Sequence, residues 1–218
     1  MTPFLVMALP RSRTAWLSKF LAYRPWVCGH DQLRYMRTLD DVKCWFSQPY
    51  IGSAETAAAP YWRLVQKYVP GCRVLVVRRP VSEVVESVAK QGIAGIELPR
   101  LQRQLIYMNN KLNQVEARLP NTISVSFDEL RQYEVCEIVF EHCTGMYLDP
   151  KWWEYWNKVN VQAEFDAVTR YVWFHAEPIQ RLMKLAQQDM LGGLREKLSV
   201  DSPRYRNGSD NAGIAAAT

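Results

Sequence analysis

Two short segments concentrate side chains whose chemistry packing alone does not explain. Pro10-Arg11-Ser12-Arg13-Thr14 sets two guanidiniums and two hydroxyls directly after an apolar run, Phe4-Leu5-Val6-Met7-Ala8-Leu9. A helical pattern with Trp16, Leu17, Phe20 and Leu21 follows at once. The first N–H groups of a helix have no partner inside it, and that end carries partial positive charge. Arginines and hydroxyls placed there make a cradle for an anion such as a phosphate. The plainer reading caps the helix with Ser12 or Thr14 and leaves the arginines in water. The second segment, Arg78-Arg79-Pro80 with Ser82 and Ser87 beyond it, ends the run Arg73-Val74-Leu75-Val76-Val77. A guanidinium at the end of a buried strand needs an anion, or an ion pair with Glu83 or Glu86. If the two runs are parallel neighbours, a ligand with two separated phosphates would bridge both segments.

The elements that must position these groups follow from the apolar pattern. Continuous apolar runs of strand length suit strands covered on both faces. Strands are therefore expected over 4–9, 73–77 and 122–127, and a short one over 26–28 that ends at Gly29-His30-Asp31. Pro80 opens a helix over 81–89. Leu101, Leu105, Met108, Leu112, Val115 and Leu119 form the seam of an amphipathic helix, which packs inside the chain or pairs two copies as a homodimer. Residues 39–69 read as mixed, with helical pieces near 40–46 and 60–68 around a small-residue stretch at 52–59. A helix near 134–143 and a tryptophan cluster, Trp152, Trp153 and Trp156, come next; the cluster lines a pocket or fills the core. A last helix over 168–191 carries His175 on its apolar face. Strands alternating with helices predict an α/β fold with a mainly parallel sheet and a helix-rich C-terminal third. One domain is expected over 1–200, followed by a disordered tail over 201–218.

Composition narrows the classes. At 218 residues, 48% hydrophobic and 22% charged, the chain is globular, which excludes disorder over most of its length. No run of 18 apolar residues is present, so no membrane-spanning helix is expected. The apolar start is short and lacks a basic leader, so the expected location is the cytoplasm. A net charge of +5 suits an anionic ligand; without a clustered basic stripe, nucleic acid is a disfavoured partner. The five cysteines form no C-x-x-C pair and the histidines are scattered, so no metal site is expected. Neither G-x-x-x-x-G-K-[ST] nor G-x-G-x-x-G occurs, which speaks against an ordinary ATP-hydrolysing P-loop or a dinucleotide fold.

Taken together, residues 4–130 resemble the PAPS-dependent sulfotransferase family, and in particular its tyrosylprotein and bacterial-type members. Pro10-Arg11-Ser12-Arg13-Thr14-Ala15-Trp16-Leu17 is similar to the family loop P-[RK]-S-G-T-[TS], with Arg13 where the family has glycine. Arg78-Arg79-Pro80 with Ser87 looks like the family's R-x-P…S site. Phe127-Asp128-Glu129-Leu130 looks like its aromatic-acidic-acidic-Leu segment. The resemblance implies a P-loop-like three-layer fold and sulfuryl transfer from 3′-phosphoadenosine-5′-phosphosulfate (PAPS), leaving adenosine 3′,5′-bisphosphate. It assigns Arg11, Ser12, Arg13, Thr14, Ala15 and Trp16 to the 5′-phosphosulfate, with Arg11 catalytic. It assigns Ser87 and an arginine to the 3′-phosphate: Arg78, two before the proline, is preferred, and Arg79, eight before Ser87, is the alternative. Cys28-Gly29-His30-Asp31 stands where relatives have a Cys-Gly-acidic-acidic turn. That implies Asp31 as general base, with His30 as alternative and Glu55 further off. The acceptor implied is a small molecule, saccharide or peptide with a hydroxyl or amine. The competing class is a P-loop-like nucleotide-binding protein or kinase that uses ATP.

Overall fold

The computed structural model describes residues 1–56, 58–91 and 97–161, all within one compact unit spanning Met1–Glu164. The expected helix over 168–191 with His175, the domain end at 200 and the tail lie outside the described residues. In chain order the elements are β1 (Phe4–Ala8), α1 (Thr14–Phe20), β2 (Val27–His30), α2 (Leu39–Ser47), β3 (Ile51–Glu55), α3 (Trp62–Tyr68), β4 (Arg73–Arg78), α4 (Val81–Ala89), α5 (Leu98–Arg118), β5 (Thr122–Ser126), α6 (Tyr133–Thr144) and α7 (Pro150–Lys158).

β1 and β4 show why continuous apolar runs belong at the centre. Side chains alternate across a strand. Phe4, Val6 and Ala8 join Leu75 and Val77 in one core, closed by Leu17 and Phe20 of α1, Phe140 of α6 and Trp152 of α7. Leu5 and Met7 join Val74 and Val76 in a second core on the other face, closed by Phe46 of α2, Val65 of α3, Val84 of α4 and Leu112 of α5. The result is the expected three-layer α/β arrangement. The seam of α5 is part of this second core: Leu105, Leu112 and Val115 are buried in it. Trp152 of α7 packs on α1, its indole donating to the Phe20 carbonyl (2.8 Å), while Trp153 meets the Tyr133 ring of α6 edge-on (5.4 Å).

Among the described residues the sheet has five strands in the order β2-β3-β1-β4-β5, all parallel. β3 corrects the sequence reading, which left residues 52–59 without a strand. Its Gly52-Ser53-Ala54 centre has little β-propensity, but a side chain at Gly52 would stand 2.2 Å from the Phe4 ring. The strand forms because it fits under Phe4, not because its residues favour extension. β2 also starts one residue later than expected and runs on through His30.

This topology creates the site. β1 and β4 are neighbours, with Ala8 opposite Val77. The chain leaves β1 for α1 on one face and leaves β4 for α4 on the other. Strand exits that diverge in this way open a crevice at the carboxyl edge of the sheet.

Candidate functional site

The loop after β1 turns sharply, with Arg11 and Arg13 both left-handed (φ 64 and 62). A non-glycine residue there costs about 1–2 kcal/mol, so the surroundings must hold the loop in place. Arg13 therefore keeps the backbone shape that a glycine would give at that position. Its side chain leaves the loop: it donates to the Leu130 carbonyl (2.9 Å) and lies over the rings of Phe127 and Trp16 (5.2 and 5.6 Å to the centroids). Burial, and then the charge of Arg131, lower its pKa from the ordinary arginine value.

The two arginine segments meet. The Nε of Arg11 donates to the Ser87 hydroxyl on α4 (3.2 Å). Arg79 donates to the backbone carbonyl of Arg11, pairs with Glu83 (3.3 Å), and lies 4.1 Å over the Phe127 ring. Phe127 is placed by its own N–H, which extends the β4–β5 ladder to the Arg78 carbonyl (2.7 Å).

The expected preference for Arg78 over Arg79 runs against this arrangement. Successive strand residues face opposite ways, and Arg78 points at α5. Its Nε donates to Glu116 (2.8 Å), Nη1 to the Asn109 side chain (2.9 Å), and Nη2 to Asn113 (2.6 Å) and again to Glu116. Glu116 also accepts from the Ser124 hydroxyl (2.6 Å). The hydrogen bond from Arg78, foremost, holds the Glu116 carboxyl below the ordinary range. Arg79 is the arginine that borders the loop.

The exit of β2 supplies the third corner. Parallel pairing with β3 brings His30 opposite Ala54, and the His30 Nε2 lies 3.2 Å from the Thr14 hydroxyl at the start of α1. Burial lowers the His30 pKa; Asp31 opposes this, and Lys19 and Arg34 add to it. The net shift favours the neutral ring. Asp31 is left-handed (φ 49). Its Oδ1 accepts from both the N–H and the hydroxyl of Thr56 (2.8 Å each), and its Oδ2 lies 3.8 Å from the His30 Nε2. Glu55 is buried, accepting from the Ser53 hydroxyl and the Leu33 N–H (3.0 Å), and burial pushes its pKa up.

Ser12 and Thr14 are buried, and Ala15 lies in the first turn of α1. The Trp16 ring stacks on Phe20 (4.6 Å) and its indole N–H donates to the Trp156 carbonyl (2.9 Å), so its side chain belongs to the core. Sequence reading did not see that Phe127 and the Leu130 carbonyl serve the first loop. Nor did it see Thr56, which no local pattern ties to Asp31. Among the described residues no cluster of three or more His, Cys, Asp or Glu is arranged to hold a metal ion, and no helix is long and apolar enough to cross a membrane.

No family model and no curated protein matches this chain. Its fold has solved counterparts. A sulfotransferase from Alicyclobacillus acidocaldarius is similar at 12% identity with a TM-score of 0.50, over 70% of this chain and 88% of that one. The sulfotransferase domain from the curacin biosynthetic pathway is similar at 10% identity with a TM-score of 0.53, over 70% of this chain and 77% of that one. The chain therefore carries a P-loop-like α/β fold of the kind found in sulfotransferases.

Proposed function

We propose that the protein is a PAPS-dependent sulfotransferase acting on a hydroxyl or amine of a small molecule, saccharide or peptide. The observation that carries this reading is the 3.2 Å hydrogen bond between Arg11 and Ser87, which joins the two anion-seeking segments in the crevice between β1 and β4. A donor with phosphates at both ends of its ribose suits such a pair of corners. The loop N–H groups of Ser12 to Ala15, the Arg11 guanidinium and the Thr14 hydroxyl fit the 5′ end. Ser87 and Arg79 fit the 3′-phosphate, because Arg78 is engaged by α5. PAPS supplies an activated sulfuryl group when bound.

The residues of this chain then have distinct tasks. Arg11 offsets the charge that builds on the transferring group, and positioning plus electrostatics do most of the work in such transfers. His30, neutral and next to the loop, takes the acceptor's proton. A placed base is worth roughly 10²–10⁴-fold. Asp31 borders His30 and spends one oxygen on Thr56, so it suits orientation of the turn better than proton removal.

The test is thermal stability with adenosine 3′,5′-bisphosphate against ATP with magnesium. The bisphosphate is expected to raise Tm without metal, and Arg11→Ala to remove most of that rise. Stabilisation by ATP–magnesium alone would move the protein to the kinase class.

A further inference from the structure

His30 and Thr14 are joined across two elements. Thr14 opens α1, inside the loop read as the donor site, and His30 ends β2, at the turn read as carrying the base. Their side chains lie 3.2 Å apart. Each has one role to fill when substrates bind: the hydroxyl suits an oxygen of the bound anion, and the imidazole nitrogen suits the acceptor's proton. Neither role is open while the two hold each other. We propose that the Thr14 hydroxyl donates to the His30 Nε2 in the ligand-free protein and masks it as a base. Anion binding at the loop then draws the hydroxyl away and exposes the nitrogen. This rests on the sulfotransferase reading and adds to it a built-in order, donor first and proton removal second.

The surroundings are consistent with such a switch. The His30 side chain is part-exposed (36%), and the desolvation it does undergo favours the neutral ring, in which one nitrogen is an acceptor. The charged groups facing it are Asp31 from its own turn, Lys19 from α1 and Arg34 from the turn that follows; on β3, Glu55 adjoins Asp31. None of them needs to move. A hydroxyl that donates to the neutral ring disfavours its protonation. Losing that bond to the anion therefore makes His30 more basic when the donor arrives. Thr14 thus has two contacts in turn, His30 in the free protein and the anion once it is bound.

The experiment is nitrogen-15 NMR of the imidazole rings across a pH titration. Wild type, Thr14→Val and Thr14→Ser are compared, each with and without adenosine 3′,5′-bisphosphate. In the free wild type the His30 Nε2 is expected to be the unprotonated nitrogen. Its pKa should lie below that of the Thr14→Val protein, with Thr14→Ser behaving as wild type. With the bisphosphate bound, the difference between wild type and Thr14→Val should vanish, because the hydroxyl has been withdrawn. A proton on Nε2 in the free protein overturns the proposal. So does an unchanged gap in a complex whose Arg11 and Ser87 amide signals show that the nucleotide is bound. If those amide signals never move, the sulfotransferase reading itself falls, and this inference with it.

Discussion

The Arg13 guanidinium donates to the Leu130 carbonyl over 2.9 Å, fastening the loop after β1 to the turn after β5. The bond explains how a large side chain stands in a left-handed position suited to glycine. Backbone strain of about 1–2 kcal/mol is offset by a charge-assisted hydrogen bond worth about 1.5–3 kcal/mol and by the contacts with Phe127 and Trp16. Arg13→Gly removes strain and contacts together, whereas Arg13→Ala keeps the strain and loses the contacts. Urea unfolding should rank wild type above Arg13→Gly and Arg13→Gly above Arg13→Ala. An alanine variant at least as stable as the glycine variant would show that the loop is not held this way.

Arg78 and Arg79 adjoin in sequence but face different partners, so their variants should differ. Arg78→Ala leaves Glu116, Asn109 and Asn113 without their common donor. At about 1.5–3 kcal/mol for a hydrogen bond to a charged group, a clear fall in Tm is expected. Arg79→Ala loses the stack on Phe127, worth about 0.5–2 kcal/mol, together with the hydrogen bond to the Arg11 carbonyl and the pair with Glu83. Its Tm should therefore fall too, and nucleotide binding is the property that separates the two variants. Adenosine 3′,5′-bisphosphate should then bind the Arg79 variant roughly ten- to hundredfold more weakly, that is by about 1.4–2.8 kcal/mol. Calorimetric titration beside thermal melts checks both. Weaker nucleotide binding in the Arg78 variant alone would reverse the assignment.

Those two arginines also show how far the sequence could be read. The strand ending at 77–78 was legible because Val74 to Val77 are apolar on both faces, and only a central parallel strand needs that. Which arginine faces the loop depends on strand register and on α5 supplying Asn109, Asn113 and Glu116, respectively 31, 35 and 38 residues later; no local spacing carries this information. β3 was illegible for a related reason. Ser53 and Ala54 carry no strand signal, and the strand exists because its neighbours leave a slot for a narrow backbone. The loop at 10–14 and the turn at 28–31 were visible as clusters of polar types after apolar runs. The link between them, Thr14 to His30, arises only once β2 has been threaded to the far side of β3.

The slot beneath Phe4 is itself testable. A methyl group at position 52 would fall 2.2–2.4 Å from three atoms of the Phe4 ring, and that ring is fully buried between sheet and helices. The ring has no free space to enter, so Gly52→Ala must push β3 away from β1. Overpacking of this kind costs about 1–3 kcal/mol. The double variant Gly52→Ala with Phe4→Leu should recover part of the loss, since the smaller side chain vacates the space. Unfolding in urea compares the three proteins; no loss in Gly52→Ala would mean that β3 does not sit under Phe4.

Glu116 fixes the direction of one pH effect. Its carboxyl is held below the ordinary range first by the hydrogen bond from Arg78, with the Ser124 hydroxyl adding to this and burial opposing it. An unfolded glutamate titrates near about 4.3, so as the pH falls the unfolded chain takes up this proton before the folded one does. The stabilisation from Glu116 is thus fully present above the unfolded value and is lost as the pH drops through the lowered folded value. Glu129 and Glu86 are lowered as well, so acid unfolding of the wild type alone would not isolate Glu116. The difference between wild type and Glu116→Gln does, because the other carboxylates are common to both proteins. Unfolding free energies measured from pH 7 down to pH 3 should start apart, with wild type more stable, and close towards acid. A gap that stays constant over that range would mean that the Arg78–Glu116 pair does not depend on the carboxylate charge.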